Sequence, residues 1–593
     1  MTATLERSQP DDSERLAPSH VAGRTRPGAA RRTRFLAVAA GLTILACAGW
    51  LIAGQIDKPF VYDDVSFMLG ARAVAETGRP FGNQGYLLHL YTEREQWALW
   101  HPPLYIYLLG LTVALVGSGE RAAHGLSVLC LLISAGLTFD LARRVTLLRG
   151  GSPDRGLAAG VLAMAVYLLN PLAIQSALLL DIDNTILMVL ITGFCWLTVR
   201  LPGVWGLLTI GGLAALYAVT LWAKLTTPIA LAAALLFTRL FQPVGWRGAA
   251  QAFCVVALGW AIFAVSWVGI SALAGFPLDY TLDVVRNEAL ESGASSAYRL
   301  ETLERFLWGV APALLWIGPF FCLLFVAAGL PRLWGLARGK GLDAGDVLVV
   351  LGAAIYLAYI FKLAGDFPKY HASMLPLWAA ASGVLVARAA GRPTLAQYGA
   401  ATAGYLLLLW WFWGSMANTW AIRWEPALNL DLIVVPLVIG LGIAVAWAAL
   451  GRRSLLGALP VALLVLTLSW SVSLAAAQRD QVGSSTYYYG RHGQRAAAAA
   501  VNALLRPDEV YVASKDVAWY VQNPHYVDQD TWQYVVWELH DAHFDGTYLG
   551  FPVRILALAV DEPSLRTAYD GLLLAHGYQH AGQYGSYLIY ARP

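Results

Sequence analysis

Ionisable residues stand in short polar breaks between long apolar runs of this chain, where a charge has to be explained. Such groups are costly beside a lipid phase, and when they occur there they tend to be functional. Aspartates in these positions could face a catalytic pocket, and the cationic groups would suit the phosphate of a lipid substrate. The candidates are Asp63, Asp64, His101, Asp181, Asp183, Lys224, Lys369, Tyr370 and His371.

The aspartates also have structural explanations. Asp63 and Asp64 begin a short amphipathic helical stretch, where carboxylates favour the positive helix terminus by about 0.3–1 kcal/mol. Because adjacent helical side chains diverge by ~100°, only one of the two can face a given pocket. An N-cap explains Asp183 or Asn184. It does not explain Asp181, which follows an apolar run, so Asp181 favours a functional role.

The cationic candidates leave similar alternatives open. Lys224, with apolar runs on both sides, could extend its ammonium towards water or could anchor a phosphate at headgroup depth. Lys369 and His371 add cationic capacity just after Pro368. His101, which precedes a Pro-Pro pair, could mark only the start of a helix.

The composition identifies the environment of these residues. Of 593 residues, 58% are hydrophobic and 13% are charged, and the mean hydropathy is +0.55. Apolar runs of roughly 17–25 residues recur, and each is long enough to cross a bilayer. The sequence therefore predicts a polytopic α-helical membrane protein. Its basic residues lie at the ends of these runs, as in membrane topology, so they give no reason to expect a nucleic-acid partner.

The positions of the arginines predict the topology. Arg24 to Arg34 place the N-terminus in the cytoplasm, after a polar tail (1–34) predicted to be disordered. A retained first span then puts residues 57–105 outside, as the first outer loop. Two apolar runs separate this loop from the next basic cluster, Arg143 to Arg155. If both runs crossed the membrane, this basic cluster would lie outside, against the positive-inside rule. The run at 103–117 is therefore predicted to be juxtamembrane or re-entrant. The whole transmembrane domain (35–477) is predicted to contain about thirteen spans.

From about residue 478 the chain becomes soluble in character. Apolar segments near 509–513, 553–558 and 586–591 are typical of buried strands, and helical stretches alternate with them. We predict a small extracytoplasmic α/β domain over 478–593. This segment contains no nucleotide-binding glycine motif and no metal-ligand spacing.

Motifs on the predicted outer face resemble those of a known enzyme family. Asp63-Asp64 resembles the acidic pair in the first outer loop of the GT-C-fold glycosyltransferases that use polyprenyl-phosphate sugars. This superfamily includes protein O-mannosyltransferases and bacterial lipid A aminoarabinose transferases. Further matching motifs are His101-Pro102-Pro103-Leu104, Leu179-Leu180-Asp181, Lys224 (without the family's nearby glycine), and Lys369-Tyr370 followed by Leu375-Pro376. The resemblance covers residues 35–390 and does not extend to the tail domain.

The resemblance implies transfer of a sugar from a polyprenyl-phosphate donor to a hydroxyl of a glycan, lipid or protein acceptor on the outer face. By position Asp63 would be the general base, since a phosphate leaving group needs no general acid. Asp64, His101 and Asp181 would orient acceptor, donor sugar or a cation. The lipid phosphate would be held by Lys224, Lys369, Tyr370 and His371.

The need for a cofactor and two other functions stay open at this stage. Some members of the superfamily bind a divalent metal ion near the first loop, and Glu95, His101 and Asp181 are its candidate ligands here. A transporter or flippase is the alternative function, but it predicts paired repeats and charges at the membrane midplane. A ligase for whole lipid-linked glycans predicts a large late outer loop, whereas the late loops here are short before residue 478.

Overall fold

The computed structural model describes most of the chain. The described residues are 27–61, 63–82, 97–279, 281–283, 286, 316–363, 368–391, 394–419, 430–452, 454–479, 491–523, 525–533, 547–548, 551–560 and 563–593. Most of the predicted disordered tail (1–26) and the candidate ligand Glu95 lie outside them. Residues 27–34 of that predicted tail belong to the first helix.

The apolar runs fold as α-helices, the one open-chain structure that satisfies every backbone hydrogen bond within lipid. In chain order the described helices of this part are α1 Pro27–Ala53, α2 Asp63–Thr77, α3 Leu104–Val116, α4 Glu120–Leu148, α5 Pro153–Leu168, α6 Pro171–Ser176, α7 Ile186–Arg200, α8 Leu207–Ala223, α9 Thr226–Phe241, α10 Gly245–Ala274, α11 Pro319–Ala337, α12 Ala344–Leu363, a 3₁₀ helix Pro368–Met374, α13 Leu375–Ala390, α14 Leu395–Thr419, α15 Leu430–Gly451 and α16 Leu455–Arg479.

Seven helical segments among the described residues are long and apolar enough to cross a membrane. They are Arg31–Ala53, Glu120–Leu148, Gly245–Ala274, Pro319–Ala337, Lys369–Ala390, Val434–Gly451 and Leu455–Arg479. Five shorter apolar helices accompany them, among them α3 and α7 to α9. A multi-pass helical membrane protein is thereby confirmed. The number thirteen stays a prediction, because helices of 10–17 residues are below the length of a regular span.

Helices α2 and α3 pack against each other beside the bundle. The 13 residues of α3 extend only about 20 Å, less than the ~30 Å of a hydrocarbon core. This helix packs against α2 and α4, and a Cβ on Gly110 would lie 2.6 Å from Val74 Cγ1. The close approach of α2 and α3 therefore requires a glycine there. The ring of Phe67 also packs edge-on to Tyr105, with centroids 5.1 Å apart.

The apolar run after the second basic cluster, which the sequence predicts as one span over about 156–176, folds as two helices, α5 and α6. Asn170 separates them, and its side-chain oxygen accepts the backbone N–H groups of Leu172 and Ala173 at the start of α6. Its amide nitrogen donates to the backbone oxygen of Ile317 at 2.7 Å. Since Pro171 cannot continue the hydrogen-bond ladder of α5, the chain turns here into the loop that carries Asp181.

Residues 491–593 build a separate α/β unit, as predicted. Its elements are α17 Gln494–Leu504, β1 Tyr511–Ala513, α18 Lys515–Ala518, β2 Tyr526–Asp528, α19 Gln529–Gln533, β3 Thr547–Tyr548, β4 Phe551–Pro552, β5 Ile555–Ala559, α20 Pro563–Ala575, β6 Gln579–Tyr584 and β7 Tyr587–Ala591. The main sheet has the order β2-β1-β5-β7-β6, parallel among β2, β1 and β5 and antiparallel among β5, β7 and β6. Apolar side chains fill both faces of this sheet.

The α/β unit packs against the segments that lead into α2 and α4. The Tyr520 hydroxyl accepts the backbone N–H of Phe60 at 3.1 Å and donates to Glu120 Oε1 at 2.7 Å. Arg495 Nη2 lies 2.5 Å from the same Glu120 oxygen. The rings of Phe60 and Trp519 also meet edge-on, with centroids 5.8 Å apart. The α/β unit thus holds the start of the helix that carries the acidic pair.

Candidate active site

The two adjacent aspartates at the start of α2 face different surroundings. Asp64 is fully buried, and its carboxylate accepts the backbone N–H of Val61 at 3.1 Å and that of Leu180 at 2.7 Å. Burial raises the pKa of Asp64 well above its usual value, although these two hydrogen bonds oppose the shift. Asp63 instead keeps 31% of its side chain exposed and accepts a hydrogen bond from Lys369 Nζ at 2.5 Å.

Lys369 joins two carboxylates that come from distant parts of the chain. Its Nζ lies 2.5 Å from Asp63 Oδ2 and 2.6 Å from Asp181 Oδ2. The lysine side chain is only 9% exposed, so its pair with the buried Asp181 is shielded from water, whereas its pair with Asp63 remains partly accessible. The 3₁₀ helix Pro368–Met374 sets this position. The structure therefore brings together three of the residues that the sequence singled out.

Asp181 lies in a tight turn between α6 and α7. Its Oδ1 accepts the backbone N–H of Asp183 at 3.0 Å, and its backbone oxygen accepts the hydroxyl of Thr185 at 2.5 Å. Burial by itself would raise the pKa of Asp181, but the ammonium groups of Lys369 and Lys224 outweigh it and hold the pKa below its usual value. This carboxylate is therefore ionised at neutral pH.

Asp63, Lys369 and Asp181 form a row of charges, and a second buried ion pair lies next to it. Lys224 Nζ donates to Asp183 Oδ2, and their side chains are 6% and 2% exposed. Lys224 ends α8 with extended backbone dihedrals (φ −157°, ψ 139°), and this break turns its side chain into the site. Tyr370 lies close to both lysines, with its ring centroid 4.9 Å from Lys224 Nζ and 5.4 Å from Lys369 Nζ. The candidate site thus contains two ammonium groups near one phenol.

The two histidines among the predicted site residues lie on the 3₁₀ helix and on the segment before α3. His371 is buried and packs its ring against Tyr356, with centroids 5.3 Å apart. His101 is half-buried in the segment before α3, close to Leu99, whose backbone oxygen accepts the Thr281 hydroxyl at 2.6 Å. The sequence analysis assigned His371 to the phosphate-binding group and His101 to the residues that orient acceptor, donor sugar or a cation.

The carboxylates of the site do not present a metal centre. Among the described residues, no group of three or more histidine, cysteine, aspartate or glutamate side chains is arranged to hold a metal ion. Where a cation would bridge Asp63 and Asp181, the ammonium of Lys369 already lies between them. The residues present therefore do not fit a divalent ion at this point, and Glu95 lies outside the described residues.

The α/β unit adds a group that the sequence analysis missed. Lys515 follows β1, and it lies close enough to Asp63 for the carboxylate charge to act on its ammonium. Lys515 Nζ also lies 3.5 Å from Asp528 Oδ2 at the end of β2. Burial lowers the pKa of Lys515, but the charges of Asp528, Asp530 and Asp63 outweigh it and raise the pKa overall.

The position of Lys515, just after a buried strand, is a sequence feature that could have indicated a functional role. Ligands of open α/β sheets bind outside the carboxyl ends of the parallel strands, and Lys515 and Asp528 stand at two such ends. The next residue, Asp516, is buried, bonded to Arg491 at 3.0 Å and to the Tyr587 hydroxyl at 2.9 Å. This carboxylate is near enough to act electrostatically on Asp64, so the carboxyl edge of the sheet faces the acidic pair.

Comparison with known proteins identifies the fold. No protein-family model matches the chain, and no curated protein sequence matches it. The structure is similar to the crystal structure of ArnT from Cupriavidus metallidurans bound to undecaprenyl phosphate, with 18% identity, 94% of this chain and 97% of that chain covered, and a TM-score of 0.58. The apo structure of the same protein gives 17% identity, 95% and 98% coverage, and a TM-score of 0.56.

A third structure is less similar. The Archaeoglobus fulgidus oligosaccharyltransferase, in complex with Zn and sulfate, gives 13% identity, 93% and 73% coverage and a TM-score of 0.44. At 17–18% identity, the similarity to ArnT shows the fold. The chain therefore has the GT-C membrane fold that the sequence motifs implied.

Proposed function

We propose that the chain is a membrane glycosyltransferase that moves a sugar from a polyprenyl-phosphate donor to an acceptor hydroxyl. The row of charges from Asp63 through Lys369 to Asp181 supports this proposal most directly. It combines a partly exposed carboxylate with ammonium groups, on the fold of a protein whose crystal structure contains undecaprenyl phosphate.

In the proposed reaction the acceptor oxygen attacks the anomeric carbon of the donor. The bond from that carbon to the phosphate oxygen breaks with its electron pair, and polyprenyl phosphate leaves. The acceptor proton passes to the carboxylate of Asp63, which acts as general base. The leaving phosphate needs cations rather than an acid, and Lys224 and Lys369 would supply them.

The ion pairs give the lysines a second task. In the structure Lys369 is bound to Asp63 and Asp181, and Lys224 is bound to Asp183. A donor phosphate would compete for these ammonium groups. Engagement of Lys369 by phosphate would release Asp63, so the base would become available only after the donor is in place. Tyr370, close to both lysines, would bind the same phosphate.

The remaining residues receive supporting roles. Asp64 ties α2 to Leu180 and thereby orients Asp63, while Asp181 keeps Lys369 in the site. His101 would face acceptor or donor sugar from the segment before α3. For His371 we retain the predicted contribution to phosphate binding, although its packing against Tyr356 favours support of the 3₁₀ helix.

We further propose that the site lies on the extracytoplasmic face of the cell membrane. Helix α1 contains Arg31, Arg32 and Arg34 near its N-terminal end, and its C-terminal end precedes the segment that leads to Asp63. The positive-inside rule then places the N-terminus in the cytoplasm and residues 491–593 outside.

The test is binding and turnover of polyprenyl-phosphate sugars by the purified protein. Native mass spectrometry should detect a one-to-one complex with one member of a panel of undecaprenyl-phosphate pentoses and hexoses. An acceptor extract should then convert that donor to free undecaprenyl phosphate. Translocation of the intact donor across a proteoliposome, with no sugar released, would identify a flippase and refute the proposal.

A further inference from the structure

A cavity of about 430 Å³ lies at the end of the helix bundle opposite to the candidate active site. Helix α4 begins at Glu120 beside the α/β unit, and its 29 residues extend about 43 Å. The cavity opens where this helix ends. Four arginines line it: Arg149, Arg155, Arg332 and Arg388.

The cavity has an excess of positive charge. Arg149 Nη2 lies 2.9 Å from Asp343 Oδ1 and 3.6 Å from Asp346 Oδ1, and Arg332 Nε lies 3.4 Å from Asp346 Oδ1. Arg155 and Arg388 form no ion pair with any residue that the structure describes. Four guanidinium groups thus face two carboxylates, which leaves positive charge for an anion.

Arg149 packs its guanidinium closely against the protein at the edge of the cavity. The Nε atom of Arg149 is buried and has no hydrogen-bond partner within the described residues. Leaving such a donor unsatisfied is unfavourable. The guanidinium of Arg149 also lies against Gly345, where a Cβ would come within 2.2 Å of Nη2, so Gly345 makes room for it.

The surroundings of the cavity are apolar on the membrane side. A narrow crevice continues from it between α4, α11, α12 and α13, lined by Val145, Ala328, Leu348 and Ala381. Next to the cavity, the side chains of Leu148, Leu330 and Trp334 are 53%, 62% and 60% exposed. Apolar side chains exposed on helices of a membrane protein face lipid. The ligand should therefore combine an anionic head with apolar chains.

We propose that this cavity binds the headgroup of an anionic phospholipid of the surrounding bilayer, with its phosphate among the four arginines and its acyl chains along α11. Guanidinium groups bind phosphate through paired, charge-assisted hydrogen bonds. Basic pockets between membrane helices are suited to such headgroups. The bound lipid would brace α4 and α13, whose opposite ends border the candidate active site.

The topology rule alone does not account for these arginines. Arg143 and Arg144, from the same sequence cluster as Arg149, are paired with Asp140, at 3.0 and 2.6 Å. Arg149 and Arg155 instead face the cavity. A general preference for positive charge on one side of the membrane does not by itself explain why four guanidinium groups from separate helices meet in one cavity.

The experiment measures lipid binding by the delipidated full chain in detergent. Native mass spectrometry is performed with phosphatidylglycerol, with phosphatidylcholine and with inorganic phosphate alone. We expect a persistent single adduct with phosphatidylglycerol only. The variant Arg155→Gln/Arg388→Gln should weaken it on the order of tenfold, and the control Arg247→Gln/Arg338→Gln, on exposed arginines outside the cavity, should bind as the wild type does.

Three results would overturn the proposal. The first is equal binding of phosphatidylcholine, which would remove the requirement for net negative charge. The second is full phosphatidylglycerol binding by Arg155→Gln/Arg388→Gln. The third is a thermal stabilisation by inorganic phosphate, lost in the same variant and not exceeded by phosphatidylglycerol, which would identify a site for a small anion instead of a lipid.

Discussion

Lys369 and Asp63 form an ion pair of 2.5 Å although 306 positions separate them in the chain. The lysine is nearly buried while the carboxylate retains partial exposure. A base that is bound to an ammonium group is a poor proton acceptor, because transfer of a proton to it breaks a favourable pair. This pair thus couples the proposed base to whatever engages Lys369.

Substitution Asp63→Asn should abolish sugar transfer and leave donor binding intact. The amide cannot accept the acceptor proton, and the loss of a general base costs about 10²–10⁴-fold in rate. Lys369 would keep its ion pair with Asp181, so folding should be preserved. Turnover and native mass spectrometry on the same preparation separate the two effects. The control is Asp57→Asn, which removes only an exposed pair with Arg121. Wild-type turnover by Asp63→Asn would exclude this residue as the base.

Substitution Lys224→Met should raise the KM for the lipid-phosphate donor and also lower the melting temperature. It leaves the buried carboxylate of Asp183 without its ammonium partner, which typically costs about 3–5 kcal/mol. The double variant Lys224→Met/Asp183→Asn removes both charges and should recover much of the stability. Its KM should remain high. A double variant with wild-type KM would show that Lys224 serves stability alone.

Substitution Lys515→Met should reduce transfer without weakening donor binding. Lys515 belongs to the α/β unit and lies close enough to Asp63 for the two charges to interact, whereas Lys224 and Lys369 are the lysines proposed to bind the phosphate. We therefore expect a lower kcat/KM for the acceptor and an unchanged dissociation constant for the donor. Lys515→Arg, which keeps the charge, should recover activity. Equal losses in both variants would indicate that packing, rather than charge, matters at this position.

The α/β unit should become less stable as the pH rises from about 4 to 6. Burial raises the pKa of Asp528 to about 6, although the ammonium of Lys515 opposes the shift. The folded state therefore holds this proton more tightly than the unfolded chain, whose aspartates titrate near 3.9. The stabilisation is present below about pH 4 and is lost by about pH 6. It should amount to roughly 1–3 kcal/mol.

The measurement for Asp528 is thermal unfolding between pH 4 and pH 7. Asp528→Asn cannot titrate, so its melting temperature should change less with pH than that of the wild type over this interval. Parallel curves for the two proteins would mean that Asp528 does not contribute to the pH dependence.

Local sequence patterns sufficed to predict the apolar helices, whereas the roles of the candidate site residues remain predictions. The apolar runs and the arginines at their ends predicted the segments, and the Asn170-Pro171 dipeptide is a local signal for the break between α5 and α6. The pairing of Lys369 with Asp63 and Asp181 could not be predicted, because it depends on how three distant segments pack. The same holds for Asp64, whose bond to Leu180 separates its surroundings from those of Asp63.

The bond between Tyr520 and Phe60 has a consequence for biosynthesis. These residues are 460 positions apart, and Tyr520 holds the segment from which α2 begins. A ribosome therefore delivers the acidic pair to the membrane long before the residues that fix its position. With the proposed function and topology, the nascent chain would remain inactive until the α/β unit has been synthesised, moved across the membrane and folded.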